Sequence, residues 1–278
     1  MARKTDPHPE TDPEARLAVL DAVARTPAFF DAYVLKGGLA LHLAYGSPRR
    51  SHDLDFNAVA AYPRAVDEAT SHTLIHAAHA LERALAEVAS AHGFAGMAVQ
   101  LKQLSDEIPV LLTQVGYGLT SDETPPYRRA VEMQITLCEP VCATTTARVG
   151  ALRLHVPTLE DILSEKLKAL AQQVERHNGS SRASDVFDLW YFATQSPNQP
   201  DSATLRDCLL EKAADLGGLP LQAETFRHPR VRASGEDGYA ELQANLPAPL
   251  TLPPFDDAFA AVLALVDALD LPAPAAAD

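Results

Sequence analysis

Asp53 and Asp55 stand one residue apart in the run Arg50-Ser51-His52-Asp53-Leu54-Asp55-Phe56. On a strand, residues two apart project from one face, so both carboxylates point the same way while Leu54 and Phe56 point into a core. Two adjacent carboxylates repel, and such a pair is tolerated in water or around a cation. A hard divalent ion such as Mg²⁺, or Mn²⁺ in its place, takes one or two carboxylates and fills its remaining positions with substrate phosphates. Lys36-Gly37-Gly38, whose last residue lies fifteen before Asp53, closes a short apolar strand and opens a helix. Glycine lets backbone N–H groups approach a phosphate closely, and a helix N-terminus favours the anion. Each signal is weak alone: a solvated strand edge explains an isolated Asp-x-Asp, and many strand-to-helix turns use Gly-Gly. In this order and at this spacing, residues 36–56 read as a site for a nucleotide and its metal.

A third carboxylate is sought on a neighbouring strand. In Val131-Glu132-Met133-Gln134-Ile135-Thr136-Leu137 the apolar residues alternate with polar ones, which places Glu132, Gln134 and Thr136 on one face. Glu132 completes the metal site if its strand lies beside that of Asp53; otherwise it faces solvent. A second constellation follows. Lys166 falls on the inward side of the stripe Leu159, Ile162, Leu163, Leu167, Leu170 and Val174. An inward lysine is costly without an anion, and that anion is a protein carboxylate or a bound triphosphate, unless the side chain snorkels outward. Lys168 shares its face with Ser164, Glu165 and Gln172 and reads as solvated. Asp185 and Asp188, three apart on the next helix, share a face. Helix polarity alone explains Asp185 in the first turn, whereas Asp188, deeper in the helix, needs another reason.

The elements that position these groups are legible in outline. Residues 14–28 predict an amphipathic helix, 33–35 a strand, 39–45 a helix and 53–58 a strand. Residues 63–91 predict a long helix opened by Pro63, and 96–155 a β-rich stretch. Thr158 predicts an N-cap with Asp161 at the capping-box position, the helix running to about Arg176. A loop at 177–182 precedes a helix at 185–194 capped by Ser184. Further helices follow, and 271–278 reads as a disordered tail. The whole is a small mixed α/β half followed by a helical half. The chain has 278 residues, 47% of them apolar, with no apolar run long enough to span a membrane and no secretory signal, which predicts a cytoplasmic protein. Cys138, Cys142 and Cys208, an odd and scattered set, read as small buried apolar residues rather than a disulfide framework or zinc site. The net charge is −14, and residues 201–278 hold 13 acidic against 5 basic residues. That is unlike a protein gripping long nucleic acid through its phosphates. Arg49, Arg50, Arg128, Arg129, Lys166, Lys168, Arg176 and Arg182 nevertheless gather near the motifs.

Taken together, Lys36-Gly37-Gly38-Leu39-Ala40-Leu41, Arg50-Ser51-His52-Asp53-Leu54-Asp55-Phe56, Glu165-Lys166-Leu167-x-Ala169-Leu170 and Arg182-x-x-Asp185-Val186-Phe187-Asp188-Leu189 resemble the AbiEii/AbiGii family of toxin nucleotidyltransferases, which serve type IV abortive infection and MenT-like toxin–antitoxin pairs. The resemblance implies a DNA-polymerase-β-like core at 14–156 behind a flexible arm at 1–13, then a helical domain at 157–270. It implies that Asp53 and Asp55 bind Mg²⁺, that Lys166 contacts nucleotide phosphates, that Asp185 or Asp188 belongs to the active site, and that Ser51 lies near the phosphates. Ser184 stands where the family usually has a basic residue before its aspartate. Glu132 is read from strand alternation alone. The implied reaction transfers NMP from NTP to the tRNA 3′ end, releasing pyrophosphate and blocking translation, with a cognate antitoxin or regulator as partner. Rival readings are NMP transfer to a protein hydroxyl, a non-catalytic nucleotide-binding regulator, and an interaction protein whose acidic C-terminal part binds a basic partner.

Overall fold

The computed structural model describes residues 12–60, 68–104, 110–175, 180–214 and 221–272, with backbone alone at 68–77 and 101–104. Most of the arm, Pro63, Arg176, residues 177–179 and most of the tail lie outside them. The elements in chain order are α1 (Pro13–Arg25), α2 (Pro27–Phe30), β1 (Tyr33–Leu35), α3 (Gly37–Tyr45), β2 (Leu54–Ala58), α4 (Glu68–Val88), β3 (Gly96–Leu104), β4 (Val110–Gly118), β5 (Arg129–Thr136), β6 (Thr144–Val149), β7 (Leu152–Pro157), α5 (Leu159–Ala171), α6 (Ala183–Thr194), α7 (Ser202–Ala213), α8 (Ala223–Phe226), α9 (Pro229–Glu236) and α10 (Phe255–Ala268). No helix among the described residues is long and apolar enough to cross a membrane. The chain divides into two compact units: Met1–Lys36 with His52–Val141 and Thr146–Val156, and Gly37–Ser51 with Cys142–Thr145 and Pro157–Asp278.

The first unit is built on a five-stranded sheet of order β1-β2-β5-β4-β3. Its strands pair antiparallel except β2 with β5, which run parallel. Alternation in β5 holds from Val131 to Ile135, with Val131, Met133 and Ile135 buried and Glu132 and Gln134 exposed; Thr136, expected on the polar face with them, is buried. Met133 and Ile135 line a small cavity with Leu81 of α4 and Phe29 of α2, and Phe29 stands edge-on to Phe56 at 5.5 Å. The helix expected at 14–28 is two helices. Thr26 closes α1, because the residue before a proline is pushed out of the helical region; its φ is −104° and ψ 93°. Pro27 then opens α2.

The second unit is helical. The stripe of α5 is buried at Leu159, Ile162, Leu163, Leu167 and Leu170, each side chain contributing about 1.5–3 kcal/mol relative to exposure. Thr158 caps α5 by accepting from the Asp161 N–H. Two expectations for this helix fail. Lys168 is 5% exposed rather than solvated, and Ser164 beside it is fully buried, because α7 packs along α5 and covers it on a second side. Asp161 does not reach back in a capping box. Its carboxylate accepts from the N–H groups of Cys142 at 2.5 Å and Ala143 at 3.4 Å, and from Lys212 Nζ of α7 at 2.9 Å. Both members of that ion pair are almost wholly enclosed, at 2% and 1% side-chain exposure.

None of the three cysteines forms a disulfide. Cys208 is buried as expected, while Cys138 and Cys142 are half-exposed. The Cys142 thiol donates to the Cys208 carbonyl at 3.8 Å. Helix α3 is tied to the rest of its unit at its C-terminal end: the Tyr45 hydroxyl donates to the Pro157 carbonyl at 2.6 Å, and the Tyr191 hydroxyl to that of Gly46 at 3.2 Å.

Candidate functional site

In the first unit, β1 and β2 pair so that Leu35 faces Phe56, and the next N–H, that of Lys36, donates to the Asp55 carbonyl at 2.8 Å. Leu54 and Phe56 are each 1% exposed. Asp55 is half-buried and Asp53, one residue ahead of the strand, is exposed. The pair therefore looks away from the core, as its spacing implies. Asp55 lies opposite Gln134 in the parallel register, so β5 is the neighbouring strand and Glu132 projects from the same face as Asp55. Glu132 is exposed and accepts from Gln114 Nε2 at 3.1 Å. Among the described residues, no three His, Cys, Asp or Glu side chains converge as a metal cage. Lys36 is only 8% exposed and donates to Glu139 at 2.9 Å; the Glu139 carbonyl accepts from Asn57 Nδ2, also at 2.9 Å. Glu139 was not expected from the sequence.

In the second unit, α3 begins at Gly37 rather than Leu39, with Gly37 at φ 70°, so the two glycines form its first turn. A Cβ on Gly38 would lie 2.5 Å from Arg49 Nη2 and 2.9 Å from Ser51 Oγ. Here the close approach that demands glycine is by side chains of the protein itself. Arg49 is held firmly: Nε and Nη2 donate to the two oxygens of Asp188 at 2.9 and 2.6 Å. The other cation on Asp188 is Lys166, whose Nζ lies 2.9 Å from Asp188 Oδ2 and 2.8 Å from Asp185 Oδ1. Arg182 reaches Asp185 at 3.5 Å. The inward reading of Lys166 holds, with protein carboxylates as its anion.

Burial opposes the charges on Lys166 and Asp188, and their partners prevail. Burial pulls the Lys166 pKa down, but Asp185 and Asp188 leave it above its ordinary value. Burial pushes Asp188 up, but Lys166 and Arg49 hold it below the usual carboxylate range. Ser184 is not the cap of α6. The helix opens from Arg182, whose carbonyl accepts from the N–H groups of Asp185 and Val186 at 3.0 and 3.1 Å, with no side-chain cap.

Because Arg49 is pinned to Asp188, it cannot swing aside for a larger residue 38. Gly38→Ala is expected to cost about 1–3 kcal/mol of stability through overpacking and to loosen the Arg49–Asp188 fork. Chemical denaturation measures it; an unchanged midpoint would show that Arg49 yields freely.

A small mixed sheet bearing two carboxylates at the head of one strand, next to a strand that runs into a Gly-Gly-led helix, is the fold of a nucleotidyltransferase. The family model for the nucleotidyl transferase AbiEii toxin of type IV toxin–antitoxin systems matches residues 18–261, and the chain belongs to that family. Among solved structures, MenT4, a nucleotidyltransferase toxin from Mycobacterium tuberculosis H37Rv, is similar in fold. It has 20% identity and a TM-score of 0.55, over 94% of this chain and 87% of that one. JHP933 from Helicobacter pylori has 16% identity and a TM-score of 0.47 over 93% of each chain. No curated protein matches the sequence.

Proposed function

We propose that this nucleotidyltransferase toxin uses Mg²⁺ to transfer NMP from NTP to an RNA acceptor, the 3′ end of tRNA, and so blocks translation in the cytoplasm under the control of a cognate antitoxin. One observation carries the reading: Asp53 is exposed and Asp55 half-buried, on the side away from buried Leu54 and Phe56. Two accessible carboxylates are hard oxygen donors and suit Mg²⁺ or Mn²⁺, which accept one or two such ligands and take the rest from phosphates. The bound ion would supply Lewis-acid stabilisation of phosphate charge.

The chain's own groups do the remainder. Asp53 and Asp55 would hold the ion. The N–H groups of Gly37 and Gly38 at the start of α3, with the Ser51 hydroxyl, would receive phosphate oxygens. Lys36 and Lys166 would offset negative charge as it develops, with Asp185 and Asp188 setting the position of Lys166. The acceptor hydroxyl oxygen bonds to the α-phosphorus, the bond from that phosphorus to the bridging oxygen breaks, and pyrophosphate leaves with the electron pair. Glu132, on the face of Asp55, would take the acceptor proton.

A second acceptor, a protein hydroxyl, is favoured by the net charge of −14, which is unfavourable for long nucleic acid. Both versions are tested by incubating total RNA and total protein with labelled NTPs, using wild type and the double variant Asp53→Ala, Asp55→Ala. Label in RNA with wild type alone is expected. Label in protein alone removes the tRNA version and keeps the transferase. Equal labelling by both proteins ends the carboxylate mechanism.

A further inference from the structure

Arg16, on α1 in the first unit, carries none of the motifs above, yet it reaches the residue next to Asp53. Its Nη1 is hydrogen-bonded to Nδ1 of the His52 ring and donates to the His52 carbonyl at 3.4 Å. An arginine only donates, so His52 Nδ1 is the acceptor. The carbonyl that Arg16 holds belongs to the peptide whose nitrogen is that of Asp53. Burial lowers the Arg16 pKa, and the charges of Asp53 and then Asp12 oppose that fall.

The base of the side chain is fixed. Asp12 accepts from the Glu14 N–H at 2.9 Å, and His92 bridges Glu14 at 2.7 Å and Asp21 at 3.3 Å. Ala15, Ala18 and Val19 are fully buried. A guanidinium on so firm a helix is a resident positive charge beside a carboxylate that is to receive a cation.

We propose that Arg16 is a positioning residue of the nucleotide site: it holds the His52–Asp53 peptide and, as a fixed positive charge, opposes binding of a free divalent ion until a nucleoside triphosphate arrives. This rests on the reading of Asp53 and Asp55 as metal ligands. The physical logic is charge balance. A free dication at Asp53 must bind against the guanidinium, whereas an incoming triphosphate brings negative charge that satisfies both. Metal and nucleotide therefore bind with positive coupling, and the coupling is reciprocal. Arg16 thus selects the metal–nucleotide complex over the bare ion.

The test uses the full chain and Mn²⁺ as the probe, with free Mn²⁺ followed by electron paramagnetic resonance, with and without ATP. Arg16→Gln removes the charge, Arg16→Met removes it while keeping the aliphatic stem packed, and Arg16→Lys keeps the charge. Without ATP, both neutral variants are expected to bind Mn²⁺ about fivefold more tightly than wild type, Arg16→Lys to stay within about twofold of wild type, and the tightening produced by ATP to shrink in the neutral pair. A purely structural role would weaken metal binding or leave it unchanged. Unchanged or weaker binding in both neutral variants overturns the proposal, provided that Asp53→Ala with Asp55→Ala abolishes the binding. If that double variant binds Mn²⁺ as wild type does, the metal reading itself falls and takes the inference with it.

Discussion

Asp188→Ala is expected to destabilise the second unit by about 3–5 kcal/mol, more than any other single change in the Lys166 cluster. Asp188 has no side-chain exposure and serves two cations at once, the Arg49 fork and Lys166. Removing it takes the two-pronged carboxylate from Arg49 and leaves Lys166 with Asp185 alone, in surroundings too dry to solvate the charges well. Lys166→Met should cost less, because Asp188 keeps both bonds from Arg49 and Asp185 keeps Arg182. Urea denaturation of the two variants checks the order; a smaller loss for Asp188→Ala would mean that water enters the cluster. The same network sets the pH limits. The Asp188 pKa lies below its ordinary 3.8, so its contribution is whole above about that pH and is lost as pH falls through the depressed value. The Lys166 pKa lies above 10.5, so its contribution is whole below that pH and fades only as pH rises through the raised value. Between these limits the contribution of the Lys166–Asp188 pair to stability should be flat.

Lys212→Met should have an effect of similar size for a different reason. Asp161 is 1% exposed, and without Lys212 its charge would rest on the two N–H groups of Cys142 and Ala143. The expected loss is about 3–5 kcal/mol, because breaking one side of a buried pair leaves the other charge uncompensated. Replacing both partners, Asp161→Leu with Lys212→Met, should recover most of that loss, since two buried charges and their desolvation cost vanish together. A double-mutant cycle in denaturant measures the coupling. A double variant no more stable than Lys212→Met would show that the N–H bonds of Cys142 and Ala143 to Asp161 matter more than the ion pair.

The residues that were legible are those whose element has a strong period. Lys166 sits inside an apolar stripe, so its inward direction follows from helical spacing, and Asp185 with Asp188 follow as partners from theirs. Glu132 was placed on the correct face by alternation, and the parallel pairing of β2 with β5 put its strand beside Asp55. Arg49 was only one of a group of basic residues. It lies in a loop without periodicity, and nothing in Arg49-Arg50 says that the first is buried and the second exposed. The available signal was Gly38, whose missing side chain leaves room for the Arg49 guanidinium and the Ser51 hydroxyl, but in the sequence that glycine points only to a phosphate at its N–H. Asp161 misled in another way. Its position is fully explained by the local capping rule, so nothing prompted a search for Lys212 on another helix. Lys168 was read as solvated because a single helix shows which face is apolar but not how many neighbours cover it. Arg16 precedes its partner His52 by 36 residues, and no local pattern joins them.

The division of the chain at Lys36 and Ser51 bears on how such a protein can be taken apart. Both units are discontinuous in sequence, and the excursion Gly37–Ser51 leaves the first for the second and returns. Gly37 and Gly38 are therefore covalent neighbours of the sheet while belonging to the helical unit, and Asp53 follows only after the chain has come back. Along the sequence, segments of the two units alternate rather than follow one after the other. No single cut in the polypeptide separates them, and neither can be inherited, shuffled or fused elsewhere as one continuous stretch. Recombination that exchanged only the part after Pro157 would leave α3, Arg49 and Ser51 facing helices they had not evolved with. Natural variation in this protein should therefore keep the two units together, changing residues in place rather than exchanging whole segments.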